Sequence, residues 1–149
     1  MSNREDSSHP MRLVGQINRA FARLVDSPLR EIGFAMSQLP VLVELKTRGA
    51  LSQAELTRLA RVEQSSMAQL LNRMERDDLV QRVPDLSDKR SRLITLTAGA
   101  SQRLAKGKAV MEATSQQALA GFSKAERDQL AGLLLRVKSN LDRAAGETD

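Results

Sequence analysis

Two groups of side chains in this sequence have the types and spacing to do chemistry, and both suit gripping an anion rather than breaking a bond. The first is PDLSDKRSRLITLT, residues 84–97, where Lys89, Arg90 and Arg92 crowd together beside Asp85 and Asp88 ahead of an apolar alternation. The second is QSSMAQLLNRMER, residues 64–76, where Ser66, Gln69, Arg73 and Arg76 recur at helical spacing and Gln64 and Ser65 precede them. Arg offers a planar fork that matches a phosphate or the guanine edge, and Gln suits adenine. Each bidentate pair of that kind is worth about 1–3 kcal/mol of base discrimination.

Bond-breaking chemistry has no comparable foothold. The chain has no Cys and a single His, His9, which has no partnering cluster. A thiol nucleophile, a disulfide and a thiolate metal site are excluded together, and no Ser–His–Asp frame or Gly-rich phosphate loop is present. Neither an enzyme nor a cofactor or metal is expected. With three Phe and no Trp or Tyr, stacking of bases on an aromatic platform is not expected either.

The elements that position the two groups belong to a chain of 149 residues, 41% hydrophobic and 28% charged, a size and balance that suit one folded domain with appended helices. The net charge of +5 and the pI of about 10.2 point toward a polyanion. Between Arg61 and Arg92, however, seven cations face six anions, a net of +1, so placement rather than bulk charge must do the binding. No apolar run approaches the roughly 20 residues that cross a bilayer, and the polar start MSNREDSSHP lacks a secretion segment. The expected address is cytoplasmic, with no membrane partner.

From Met11, Leu13, Ile17, Phe21 and Leu24 form a helical stripe that Pro28 is expected to interrupt or end. A second helix is expected from Ser37 as N-cap, with Met36 and Val41 as its hydrophobic staple, to Gly49. LSQAEL then carries a capping box, Ser52 with Glu55, and a staple, Leu51 with Leu56. That third helix is short, because VEQSS starts a fourth whose Met67, Leu70, Leu71 and Met74 face inward. LVQRV and RLITL read as the strands of a hairpin. Thr97 and Gly99 open a long helix ended by Gly121, and Ser123 with Glu126 caps a last one striped by Leu130, Leu133, Leu134, Val137 and Leu141.

Two short helices across a tight turn, followed at once by a hairpin, make a winged helix-turn-helix. The fold class is therefore mainly α with a small β-hairpin. Residues 37–98 form the winged head, and residues 10–35 and 100–145 carry more apolar stripe than the head needs, which suits pairing with a second copy. The DNA-facing set is Ser52, Gln64, Ser65, Ser66, Gln69 and Arg73 on the helices with Lys89, Arg90 and Arg92 on the wing. Arg90 is the side chain expected to enter a minor groove, and Asp88 the carboxylate expected to hold an Arg through a bidentate ion pair.

These motifs resemble the MarR family of bacterial transcription regulators, near its SlyA branch. Asp85, Asp88, Arg90, Leu96, Thr97 and Gly99 match the family's wing motif, although Gly99 comes one residue early, and Asp78 stands where the family commonly has Gly. If position 78 needs a left-handed backbone, Asp tolerates it better than most residues. The resemblance spans roughly Leu13 to Leu141. It implies a homodimer on a pseudo-palindromic double-stranded operator, acting as a repressor released by a small aromatic or phenolic ligand. His9, Arg12, Phe21, Phe34 and Met36 are the candidates to line a ligand cleft. The rival expectation is a winged-helix module for protein contacts, which would carry apolar residues where Ser66, Gln69 and Arg73 stand.

Overall fold

The computed structural model describes residues 9–146. Its elements run α1 (Pro10–Ile32), α2 (Leu39–Arg48), β1 (Leu51–Ser52), α3 (Gln53–Ala60), α4 (Gln64–Arg76), β2 (Val80–Pro84), β3 (Arg92–Leu96), α5 (Ala98–Ala118) and α6 (Lys124–Ala144). The fold is thus mainly α with one small sheet. The chain divides into two compact units, one through Thr114 and one from Ser115, and each is described separately.

In the first unit, α1 begins at His9, whose Nδ1 accepts from the Met11 amide at 3.3 Å, with Pro10 in the first helical position. Pro28 does not end the helix: α1 runs on to Ile32. The fully buried Val25 and Leu29 anchor the segment on both sides of it, and the carbonyl that Pro28 leaves without a partner belongs to Leu24, which is on the exposed face. Termination falls to Gly33, whose positive φ of 92° lets the chain turn while Gly33 N and Phe34 N bond back to Arg30 O and Leu29 O. The apolar stripe expected on α1 is largely uncovered, with Ile17 62% and Leu24 60% exposed and Phe21 half-buried.

Ser37 is not the N-cap of α2. A short 3-10 turn, Met36–Gln38, intervenes, and the Gln38 side chain accepts from the Ala35 amide at 2.8 Å. A carboxamide reaches back across three residues where the shorter Ser37 hydroxyl does not, and Gln38 is buried in doing so. Pro40 then sits in the first turn of α2, where no donor is lost. The α3 start follows the expected box: Glu55 N donates to Ser52 Oγ at 3.1 Å, and Ser52 N donates to Glu55 Oε2 at 2.7 Å. Leu51 and Leu56 on either side are both buried.

The core of this unit joins Leu42 and Leu45 of α2, Leu56 of α3, Met67, Leu71 and Met74 of α4, Ile94 of β3 and Leu104 of α5. Leu70 is only partly buried against it. The sheet has three strands, not two, in the order β1-β3-β2 and antiparallel throughout. Leu51 pairs with Ile94 and Ser52 with Leu93, while Val80 to Pro84 pair with Leu96 to Arg92. A two-residue strand has too little alternation to be seen in a sequence; the buried Leu51 pins it. Pro84 ends the edge strand β2, where its missing donor is tolerated.

Between α4 and β2 the chain turns at Asp78, whose φ is +59°. Leu79 N bonds to Met74 O at 2.9 Å across that turn, and Thr97 Oγ1 donates to Asp78 O at 2.8 Å. The same hydroxyl accepts from Ala100 N at 3.2 Å, so Thr97 opens α5 while tying its start to the base of the wing. In the second unit, Gly121, with φ +82°, follows α5, and Ser123 caps α6 through the reciprocal bonds with Glu126 at 3.1 and 3.0 Å. No described residue of α6 is buried; Leu133, Leu134, Leu135 and Leu141 are all exposed.

Candidate nucleic-acid interface

The turn between α3 and α4 depends on Arg61, a non-glycine residue at φ +53° that closes α3 in the left-handed conformation. It sets α4 so that Met67, Leu71 and Met74 go wholly into the core. The 3.6-residue period then leaves Gln64, Ser65, Ser66, Gln69 and Arg73 all exposed on the other side, as a reading face requires. No acidic residue lies in the first turn of α4. The N-cap itself is Glu63, whose carboxylate would oppose an approaching phosphate at that end, so the reading face rather than the helix N-terminus carries the case.

The wing tip, residues 85–91, is built by its two aspartates. Asp85 Oδ1 accepts from Ser87 N at 2.9 Å and Ser87 Oγ at 2.7 Å, and Asp85 Oδ2 from Ser91 Oγ at 3.3 Å. The Ser87 hydroxyl and then its amide hold the Asp85 carboxyl below the usual carboxylate range. Asp88 Oδ1 accepts from the backbone N of Arg90 at 3.0 Å, and Ser91 N bonds to Asp88 O. Asp88 therefore shapes the turn through the main chain and does not hold the Arg90 guanidinium in the expected ion pair. An Asx turn of this kind uses the short side chain at its own backbone, two residues on, which a guanidinium on a long stem cannot replace. Among the described residues, no carboxylate pairs with Arg73, Lys89, Arg90 or Arg92 in an ion pair. Those four cations remain available to an external anion.

A shallow depression of about 450 Å³ lies between the start of α3 and the root of the wing, lined by Ser52, Gln53, Ala54, Arg82, Ser91, Arg92 and Ile94. It brings Ser52 and Arg92, two members of the expected DNA-facing set, to one place. Ser52 is itself committed to Glu55 as a cap. The Ser52 amide, and next its hydroxyl, hold the Glu55 carboxyl below its usual range.

The five residues expected to line a ligand cleft are not gathered by one chain. His9 and Arg12 are exposed at the start of α1, while Phe34 and Met36 lie beyond its end, and a helix of 23 residues puts roughly 35 Å between them. Phe34 is a core residue, 4% exposed. What surrounds it instead escaped sequence reasoning. Arg103 stands over the Phe34 ring at 5.3 Å and donates to Ile32 O at 2.6 Å and Gly99 O at 3.1 Å, binding the end of α1 to α5. Gly107 lets α5 approach, since a Cβ there would lie 3.0 Å from Phe34 Cδ2. Nothing local in the sequence marks either residue, because both act across elements far apart in the chain. Arg82 was likewise missed as a structural cation: it donates to Glu75 Oε2 at 2.8 Å and Asn72 Oδ1 at 3.0 Å.

This arrangement defines a winged helix-turn-helix protein. Comparison with known proteins adds a likeness to one family. Residues 34–91 match the MarR family model. An uncharacterised HTH-type transcriptional regulator of Bacillus subtilis strain 168, YybA, is 24% identical over 140 residues that cover 89% of each chain. The crystal structure of the transcriptional regulator SlyA superposes with a TM-score of 0.81 at 25% identity, covering 90% of this chain and 94% of that one. A mutant MarR from E. coli complexed with operator DNA gives a TM-score of 0.76 at 24% identity, covering 85% and 91%. Over its winged head the chain is thus similar to the MarR family, and over most of its length to an HTH-type transcriptional regulator. No described helix is long and apolar enough to cross a membrane.

Proposed function

We propose that this chain acts as a homodimeric, sequence-specific repressor that a small aromatic or phenolic ligand releases from a pseudo-palindromic operator. The observation that carries the DNA part is the outward face of α4, where Gln64, Ser66, Gln69 and Arg73 stand exposed opposite the buried Met67, Leu71 and Met74, followed by a wing tip whose Lys89, Arg90 and Arg92 have no carboxylate partner among the described residues. Apolar residues on that face would have suited a protein partner instead. Base edges accept from Arg73 and pair with Gln69 in the major groove, the N-terminal residues of α4 meet base or phosphate, and Arg90 enters the adjoining minor groove.

Pairing is supported by the apolar side chains that α1 and α6 leave uncovered, among them Ile17, Leu24, Leu134 and Leu135. A second copy covers them and sets two heads about one helical turn, ~34 Å, apart on the operator. The ligand part moves from the residues first expected to a depression of about 310 Å³ lined by Arg30, Glu31, Ile32, Gly33, Arg103 and Lys106. Three cations around one anion suit an aromatic carboxylate. Arg103 already joins α1 to α5 there, so a ligand competing for it changes how the two helices meet.

The test is a titration of the protein against fragmented bacterial DNA at several salt concentrations, beside Arg90→Ala and a panel of phenolic and aromatic-carboxylate compounds. Wild type is expected to select discrete A·T-rich, pseudo-palindromic fragments with a steep salt slope, and the variant to lose affinity and part of that slope. A compound that weakens selection for wild type but not for Lys106→Ala supports the ligand part. Weak, unselective binding that Arg90→Ala leaves unchanged overturns the DNA part and leaves the protein-contact alternative.

A further inference from the structure

We infer that Arg82 is a positioning residue of the reading head, a strap that fixes the wing to α4 without itself touching DNA. The inference rests on the DNA-binding function proposed above. Arg82 lies on the edge strand β2, opposite Ile94 of β3. Its guanidinium reaches Glu75 Oε2 at 2.8 Å and Asn72 Oδ1 at 3.0 Å, two residues one turn apart on α4. One rigid fork thus spans two points of the helix, which fixes its direction as well as its distance, as a single Lys contact would not. The Arg82 side chain is 23% exposed, so the pair is partly shielded from water and salt.

The chemistry of the neighbours separates Arg82 from the DNA-facing cations. Among the described residues Arg73, Lys89, Arg90 and Arg92 have no carboxylate partner, whereas Arg82 is paired with Glu75 and two of its N–H groups are used. The covalent connection between α4 and the wing is short, residues 77–79, and it turns on the left-handed Asp78. That turn sets where β2 begins; the Arg82 strap, lying beyond it, sets the angle at which the strand leaves α4. A head that reads a major groove with α4 and the adjoining minor groove with the wing needs that angle held, because misplacing either reader loses contacts in both grooves.

The experiment uses the full-length chain and a duplex carrying a fragment that wild type selects, with an unrelated duplex of equal length as control. Arg82→Met, Glu75→Gln and the double variant are titrated at several salt concentrations. If the strap positions the wing, either single change weakens selected binding by about three- to tenfold. The double variant is then no weaker than the weaker single, the salt slope is unchanged, and binding to the control duplex does not move. Thermal melts of the three variants keep the effect separate from a general loss of fold. If instead Arg82→Met lowers the salt slope by about one phosphate contact while Glu75→Gln strengthens binding, Arg82 contacts DNA directly and the inference falls alone. If neither change affects selected binding, it falls alone as well. If wild type selects no fragment, the DNA-binding function falls first and takes the strap's role with it.

Discussion

Gly107→Ala tests the packing that joins α5 to the end of α1. Gly107 is buried in the interior of α5, and an added Cβ would lie 3.0 Å from Phe34 Cδ2, 3.2 Å from Phe34 Cε2 and 3.4 Å from Leu39 Cδ2. Phe34 is 4% exposed and Arg103 stands over its ring, so the ring has little room to retreat. Two opposed effects decide the outcome. Replacing Gly by Ala inside a helix gains about 1 kcal/mol through backbone propensity. Forcing a methyl group into a filled site costs about 1–3 kcal/mol. Gly107→Ala is therefore expected to be neutral to about 2 kcal/mol destabilising. Gly99→Ala, where the nearest atom is Arg103 Nη2 at 3.8 Å, provides the contrast and should gain up to about 1 kcal/mol. Urea unfolding followed by circular dichroism, at one fixed protein concentration because self-association shifts the midpoint, measures both. Adding Phe34→Leu to Gly107→Ala should recover part of the loss, a coupling that independent sites would not show. If Gly107→Ala stabilises as much as Gly99→Ala, the ring yields freely and the reasoning about this contact is wrong.

Three further outcomes follow from single sites. Asp78→Gly should raise stability by about 0.5–1 kcal/mol and Asp78→Val lower it by about 1 kcal/mol or more, since position 78 holds φ +59°; equal melting temperatures for the two would count against strain there. Asp85 should titrate by NMR below the usual carboxylate range, and Ser87→Ala should move it up. Because its folded-state value is lowered, the order it lends the wing tip is present at neutral pH and is lost as pH falls through that lowered value. Ile17→Glu should convert a dimer to a monomer in sedimentation, since Ile17 is 62% exposed in the single chain; a wild type that is already monomeric would remove the two-fold arrangement.

The sequence alone determined whatever is decided within a few residues. The capping boxes at Ser52 and Ser123, the inward stripe of Met67, Leu71 and Met74, and the stop at Gly49 are local patterns, and the structure repeats them. The left-handed turn at Asp78 was signalled not by a local pattern but by the resemblance to a family that commonly has Gly there. The exposure of Gln64, Ser65, Ser66, Gln69 and Arg73 on α4 was legible because helical period alone sorts an outward face from an inward one.

What the tertiary structure decided depends on partners distant in the chain. Arg82 reads as one more cation until Glu75 and Asn72 are found beside it. Arg103 and Gly107 acquire roles only because the end of α1 and Phe34 lie against α5. Strand β1 exists only because Ile94 and Leu93 offer it an edge, and α1 continues past Pro28 with buried anchors at Val25 and Leu29. Asp88 marks the boundary between the two cases. Its importance to the wing was visible in the sequence, but a carboxylate serves a guanidinium or an amide equally well, and only the folded turn chose the amide of Arg90.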